Sequence, residues 1–486
     1  MKTTMLKNEF WYGGAVYEGY RQPVGADDIV DWDFRENPTH NQIMPLFLSS
    51  KGRYIWSDAG FHISFRNGEI LAEGPEPIIL KDGFNDLRGA YLAAMKAHFP
   101  FHEIKLSDRF FKVPVYNSWI ELTYYQTQKN ILKYAKGILE NGFPSGVLMI
   151  DDGWSPYYGR WQFRGDNFKD AKAMLKELHE MGFSVMLWIC PFITPDTLEF
   201  REARDKHFLI ETPEGKPRIL EWWNGYSAAL DLTNPDAMKW LKDQLDVLTD
   251  MGVDGFRLDA VKEYVTGSTE DNVEILSWFA DYVHGKDPEN YLVCECWTDQ
   301  NTYAKYYESG VDSMFDFAFA DKSGIIANVM NGKASATSYA KNLETEQGMY
   351  AQYNPDYINA PFYTNHDMGR SAGYYAGENS EAQTKMGNAL NLLMNGNVFL
   401  YYGEELGMKG SGKDENKRAP MYWNKDGNAE GMCKGPADMD DFRMKFDSLE
   451  EQQEDPDSIY NYVKQVIRVR NQNPVIARGT TAYLEQ

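Results

Sequence analysis

The sequence predicts an α/β protein, a (β/α)8 TIM barrel carrying an N-terminal antiparallel β-sandwich domain. A change of rhythm near residue 112 is the first reason. Before it the chain holds short alternating runs such as GRYIWSD, FHISFRNGEILAEG and PEPIILKDG, separated by Gly, Pro, Asn and Asp. Period-two alternation punctuated by turn residues reads as half-buried antiparallel strands, which stack as a sandwich. The second reason is the repeated strand, loop, helix order that follows, the pattern of a parallel sheet wound with helices.

Eight apolar strand candidates succeed one another across residues 113–475: VYNSW, GVLMIDDGW, SVMLWICPF, VDGFRLDA, YLVCECW, VDSMFDFAF, APFYTNHD and NVFLYYGEE. Between them lie helical patterns such as DAKAMLKELHEMG and DAMKWLKDQLDVLTDMG, each closed by a Gly that signals a helix stop. The longest connection, Ile193 to Met251, contains EWWNGYSAALDLTNP. It is expected on the substrate side, because active sites of such barrels lie at the C-terminal ends of the strands. After the helical pattern SIYNYVKQVIRVRNQNP, the stretch VIARGTTAYLEQ is expected to open a new strand. The predicted parts are therefore 1–112 (sandwich), 113–475 (barrel) and 476–486 (the start of a truncated strand segment).

Composition narrows the partners. Lys and Arg number 49 against 72 acids, a net charge of −23 over 486 residues. Nucleic acid and anionic membranes both call for a basic surface, so neither is expected, and a neutral carbohydrate fits better. Aromatics make up 14% of the chain; they suit sugar stacking or an aromatic-rich core, and both readings stand. Cys190, Cys294, Cys296 and Cys433 match no zinc or redox spacing, as expected of reduced thiols in a cytoplasmic protein. The start MKTTMLKNEFWYGG has no apolar signal core. No apolar run approaches the ~18 residues of a membrane span.

Acidic residues gather at the predicted strand ends. Asp151 and Asp152 close the second strand, Asp259 the fourth and Glu295 the fifth; His366 and Asp367 close the seventh. Carboxylates converging on one barrel mouth are the equipment of glycoside hydrolysis, in which one attacks the anomeric carbon and another protonates the leaving oxygen. Each has a plainer reading. A strand-end Asp caps the following helix, and Asp151–Asp152 are turn residues on that view. Arg257, two residues before Asp259, faces the same side. It makes either a buried salt bridge or a device that keeps Asp259 ionised. Glu295, set in CEC, has the apolar surroundings that raise a carboxyl pKa. Glu404 and Glu405 read as structural.

Two family resemblances emerge from these residues. From Asp254 onward the chain resembles glycoside hydrolase family 13, the α-amylase family, through GFRLDAVKE, CECW, FYTNHDMGR and FLYYGEELGMKGSGKDENKRAPMYW. That resemblance implies Asp259 as nucleophile, Glu295 as acid/base and Asp367 as transition-state stabiliser. It implies that His366 hydrogen-bonds the sugar and Arg257 orients Asp259. From Phe10 to Asp259 the chain is similar instead to glycoside hydrolase family 31, the α-glucosidase and α-galactosidase group. The stretches are FWYGGAVYEGY, PLFLSSKGRYIWSD, VYNSW, VLMIDDGW, SVMLWICPF and EWWNGYSAALDLTNP. On that half the implied sugar contacts are Asp151, Asp152, Trp188 and Trp223.

The two resemblances meet at Asp259, the nucleophile on either. Departures accompany them. WICPFITP stands where family 13 carries its strand-3 Asp and Asn-His motif, Glu263 stands where that family often has His, and the acid/base motif of family 31 is missing. No cofactor is expected; family 13 barrels often bind calcium, and the altered strand 3 leaves that metal open. The resemblances imply a retaining α-glycoside hydrolase acting on α-glucosides or α-glucan oligosaccharides through a glycosyl–Asp259 intermediate. The alternative is a folded carbohydrate-binding barrel whose two half-sites are mismatched and catalyse little.

Overall fold

The computed structural model describes residues 1–36, 42–99, 108–111, 114–222, 225–265 and 267–485. The chain forms two compact units, Met1–Ile104 and Lys105–Gln486.

Among its described residues the first unit has eight strands: β1 (Lys2–Thr4), β2 (Trp11–Ala15), β3 (Val30–Asp33), β4 (Ile43–Ser49), β5 (Tyr54–Trp56), β6 (His62–Arg66), β7 (Glu69–Glu73) and β8 (Ile79–Lys81). They form two four-stranded sheets, ordered β1-β7-β6-β3 and β2-β4-β5-β8, with antiparallel pairing. Alternation explains the sandwich: Ile63 and Phe65 of β6 and Ile70 and Ala72 of β7 point one way, into a core shared with Trp11, Trp32 and Phe47. The β6–β7 hairpin turns at Asn67-Gly68, both at positive φ (53° and 74°), as a tight two-residue hairpin needs. The unit also contains a helix, Leu87–His98, capped by Asp86 at the Gly89 amide (2.8 Å). The strand reading of this region had not separated it, although its Ala, Leu, Met and Lys are strong helix formers.

The second unit holds β9 (Val115–Asn117), β10 (Val147–Ile150), β11 (Ser184–Ile189), β12 (Phe192–Ile193), β13 (Ile219–Trp222), β14 (Gly225–Ala229), β15 (Gly255–Leu258), β16 (Tyr291–Cys294), β17 (Ser313–Asp316) and β18 (Ala360–Pro361). Seven of these make one parallel sheet in the order β18-β17-β16-β15-β11-β10-β9. Phe399 bridges Phe362 on one side and Val115 on the other, both parallel, so the eighth position closes the barrel through a single residue. The flanking NGNV turn explains the brevity: Gly396 adopts φ 90° and Asn397 bonds back to Asn359 (2.8 Å). The remaining strands, β12-β14-β13, form a small antiparallel sheet within the long connection.

Side chains alternate between two layers. Leu148, Ile150, Val185, Leu187, Phe256 and Leu258 pack outward against helices. Val147, Met149, Met186, Tyr291 and Val293 fill the interior. The interior is tight: a Cβ on Gly255 would lie 2.1 Å from the Tyr291 carbonyl oxygen. Continuing the inward register by two residues per step reaches Asp151, Trp188, Arg257, Asp259 and Glu295.

At the other end the expectation of a strand over 476–486 is corrected. Residues Pro474–Arg478 form a helix, and 479–485 form no strand. Proline suits the first helical turn, where its missing N–H is not needed. Thr481 then pairs with the side chain of Gln347 (2.8 and 2.9 Å).

The Phe399 ring packs edge-on to Phe315 at 4.7 Å, so Phe399→Ala is expected to cost about 3 kcal/mol. The denaturant midpoint of unfolding measures this, and a loss well under about 1 kcal/mol would show that the ring adds little to packing at the eighth position.

Candidate active site

The polar residues of the inward register meet around one guanidinium. Arg257 Nη2 donates to Asp259 Oδ1 at 2.7 Å and Nη1 donates to Asp151 Oδ2 at 2.9 Å. Asn117, at the end of β9, donates to the same Asp151 oxygen at 2.5 Å. All three charged residues are buried, 3–7% exposed, and the Arg257 side chain lies over the Phe315 ring at 5.6 Å. Burial disfavours the charged form of Arg257, yet the Asp151 and Asp259 carboxylates outweigh that and hold it as a cation.

Glu295 sits one step beyond β16, as Asp259 does beyond β15; the register pairs Leu258 with Cys294, so the two carboxyls are next neighbours. Backbone bonds continue the ladder past both strands: Glu295 N–H to Leu258 O (2.8 Å), Val261 N–H to Glu295 O (2.9 Å) and Asp259 N–H to Ile189 O (3.1 Å). Ala260 takes the left-handed region (φ 49°, ψ 44°), unusual for a residue with a Cβ, and its N–H donates to Glu295 Oε2 at 3.0 Å.

The titration behaviour follows from this packing. Burial pushes Glu295 up to about 7, aided by the Asp259 charge and opposed by Arg257 and the Ala260 amide. Burial also raises Asp259, to about 6, against the pull of Arg257 and a hydrogen bond from the Trp188 indole.

His366 and Asp367 reach the site from the loop after β18. Their side chains lie 3.2 Å apart, and burial lowers the His366 pKa. Asp367 also accepts from Arg418 at 2.9 Å, and Lys417 donates to its backbone oxygen at 2.9 Å. Arg257, Glu295, His366 and Asp367 line one cavity with Trp297 and Asn117. Asp259 is not on that wall; it lies in contact with Arg257, 5% exposed.

Other predicted residues are placed differently. Asp151 faces Arg257 rather than open space. Asp152 points away into the turn, accepting from Tyr158 (2.7 Å) and the Gly153 amide (2.7 Å); burial raises it to about 6. Trp223 lies outside the described residues. Glu404 is engaged by the Ser371 amide (3.1 Å) and hydroxyl. At the end of β11 stand Cys190, Pro191, Phe192 and Ile193, buried, with Phe192 and Ile193 paired to β14. They offer a calcium ion no side-chain oxygen. Among the described residues no group of three or more His, Cys, Asp or Glu is arranged to hold a metal, and no helix is long and apolar enough to cross a membrane. The four cysteines are free.

Sequence reading passed over Asn117, Arg418, Lys417 and the exposed Trp297. The first three carried a signal: a polar residue ending an apolar strand, and a paired Lys-Arg in NKRAPMYW.

Comparison with known proteins agrees with this architecture. Residues 220–479 match the alpha amylase catalytic domain. Alpha-amylase 3 of Dictyoglomus thermophilum is 26% identical over 330 residues, 64% of each chain. Alpha-xylosidase XylQ of Lactiplantibacillus pentosus is 27% identical over 226 residues, 44% of this chain and 29% of that one. The chain thus spans less than two thirds of either curated relative. Among solved structures, Eubacterium rectale Amy13B superposes with a TM-score of 0.63 at 36% identity, covering 73% of this chain and 76% of that one. With just over half of its residues matched to that catalytic domain, the chain belongs to the α-amylase family.

Proposed function

We propose that this protein is a retaining α-glycoside hydrolase acting on α-glucosides or α-glucan oligosaccharides. The observation that carries the reading is the Arg257-braced Asp259 beside a Glu295 held protonated near neutrality. Arg257 favours the anionic form of Asp259, and with the Trp188 indole it holds the carboxylate that attacks the anomeric carbon. Asp259 attacks, and the C1–O bond breaks while Glu295 gives its proton to the leaving oxygen. Glu295 then takes a proton from water, which releases the sugar from Asp259. Asp367, held by Arg418, stabilises the oxocarbenium-like transition state, and neutral His366 hydrogen-bonds the sugar. The same intermediate passes to another sugar where water is excluded; a relative named 4-alpha-glucanotransferase, of Thermotoga maritima, is 29% identical over 267 residues.

We further infer that the part from Phe10 to about Asp259, most of it outside the matched catalytic domain, is of the α-xylosidase and α-glucosidase type. Similarity to XylQ and to Alpha-glucosidase 2 of Bacillus thermoamyloliquefaciens, over 44% and 46% of this chain, supports a relationship to that type. Asp151 and Trp188 are then that part's contributions to Asp259. The recessed position of Asp259 favours one second reading, a barrel that binds sugar and turns it over weakly.

Hydrolysis of nitrophenyl α-glucoside and maltooligosaccharides decides between them. Asp259→Ala is expected to abolish turnover, and Glu295→Gln to lower kcat by about 10²–10⁴-fold while sugar affinity survives. A folded wild-type chain with no turnover selects the binding reading. The rate should follow a bell in pH. It falls below about 6 as Asp259 is protonated and above about 7 as Glu295 loses its proton, the two limbs belonging to the pair. A profile flat from 5 to 8 overturns these assignments.

Arg257→Met leaves Asp259 buried without its cation. The expected cost at neutral pH is about 3–5 kcal/mol. Asp259, its folded pKa raised further, then costs more stability as pH rises, so acidification should recover part of the loss. Melting temperature against pH reads this, and a pH-independent deficit would contradict it.

A further inference from the structure

A second cavity, of about 700 Å³, lies in the barrel unit between the helix Gln128–Glu140 and the segment following Phe399. Its size suits a small molecule. Tyr125, Tyr134, Tyr402 and Trp423 line it together with the carboxyls of Glu121 and Glu405. Leu400 and Tyr402 line this cavity and the catalytic one alike, and the Tyr402 hydroxyl donates to Glu121. Glu405 accepts from the Gly403 amide at 2.9 Å. Among the described residues neither carboxyl has an ion-pair partner; Lys133, at the rim, pairs instead with Glu430 at 3.8 Å. Burial raises both carboxyls, Glu405 to about 7.

Aromatic faces combined with hydrogen-bonding carboxyls select the ligand. A wholly apolar molecule would use none of the acceptor capacity the two carboxyls keep beyond their single donors, and an anion would meet Glu121, Glu405 and Glu430. A polyol satisfies both sets of groups: its C–H faces lie on Tyr and Trp rings, and its hydroxyls donate to Glu121 and Glu405. We propose that this cavity is a second carbohydrate site, holding one or two neutral hexose units beside the reacting centre and divided from it by Tyr402. The proposal rests on the α-glucan reading above. The cavity is assembled from residues 116–143, outside the matched α-amylase region, and 400–460, within it.

Calorimetric titration of maltotriose into the Glu295→Gln chain tests this. Two sites per chain are expected. Adding Trp423→Ala should weaken one of them about tenfold, the loss of one good stacking contact, and leave the other unchanged. Tyr125→Ala, at a side chain 80% exposed, should do the same without threatening the fold. A single site indifferent to both substitutions overturns the second site and leaves the function standing, whereas no site at all removes both. Tetramethylammonium binding that depends on Trp423, with maltotriose binding independent of it, would overturn the polyol assignment in favour of an organic cation.

Discussion

The guanidinium of Arg257 between Asp151 and Asp259 is the constraint around which the barrel mouth is arranged. Removing one cation and two carboxylates from water is costly, and such a group is tolerated only when its geometry and hydrogen bonds are nearly complete. Here each carboxylate takes its own Nη nitrogen, and Asn117 adds a further bond to Asp151. The contact spans the interior, because β11 lies between β10 and β15 in the sheet. Strands that are not neighbours are therefore held at a fixed separation by charge rather than by the ladder. Asp151 lies outside the region matched to the α-amylase catalytic domain and Arg257 inside it, so the same pair joins the two parts of the barrel.

Rigidity in the proposed nucleophile and acid comes from the backbone just past the strands. The ladder does not stop at Leu258 and Cys294; three further bonds carry it to Val261 and Glu295. Ala260 turns left-handed, at a cost of order 1 kcal/mol, and its amide donates to Glu295 Oε2. That amide lowers the Glu295 pKa, whereas burial and the Asp259 charge raise it more. The bond therefore acts mainly on the direction of the carboxyl, fixing one oxygen and leaving the other free to face a leaving group.

Much of this was legible in the sequence because strands impose period two. Once VLMI, SVML and YLVC read as buried strands, the polar residues closing them had to fall on a shared face, and Asp259, Glu295 and Arg257 follow. The sandwich was legible for the same reason. What escaped depended on contacts far apart in the chain. The bond between Asp151 and Arg257 joins residues 106 apart in the chain. Arg418 reaches Asp367 across 51 residues, from a loop with no periodicity to read. The eighth strand shrank to Phe399 because the pairing available to it is set by the two edges it must bridge, and VIAR became helical because Pro474 favours a first helical turn more than local apolarity favours a strand.

The charge balance of the site bears on which carboxyl carries a proton. Among the described residues Asp151, Asp259, Glu295 and Asp367 face two guanidiniums, Arg257 and Arg418, with Arg418 shared with Asp414 (3.1 Å) and the Lys417 ammonium on the Asp367 carbonyl (2.9 Å). Four buried or half-buried anions against this much positive charge are unfavourable, and the least costly relief is protonation of the carboxyl farthest from a cation. Asp259 and Asp151 bond Arg257 directly, and Asp367 bonds Arg418. Glu295 has a single backbone amide. The cations thus single out Glu295 as the group that holds the proton, and the proposed division of labour between acid and nucleophile follows from which strand carries the arginine.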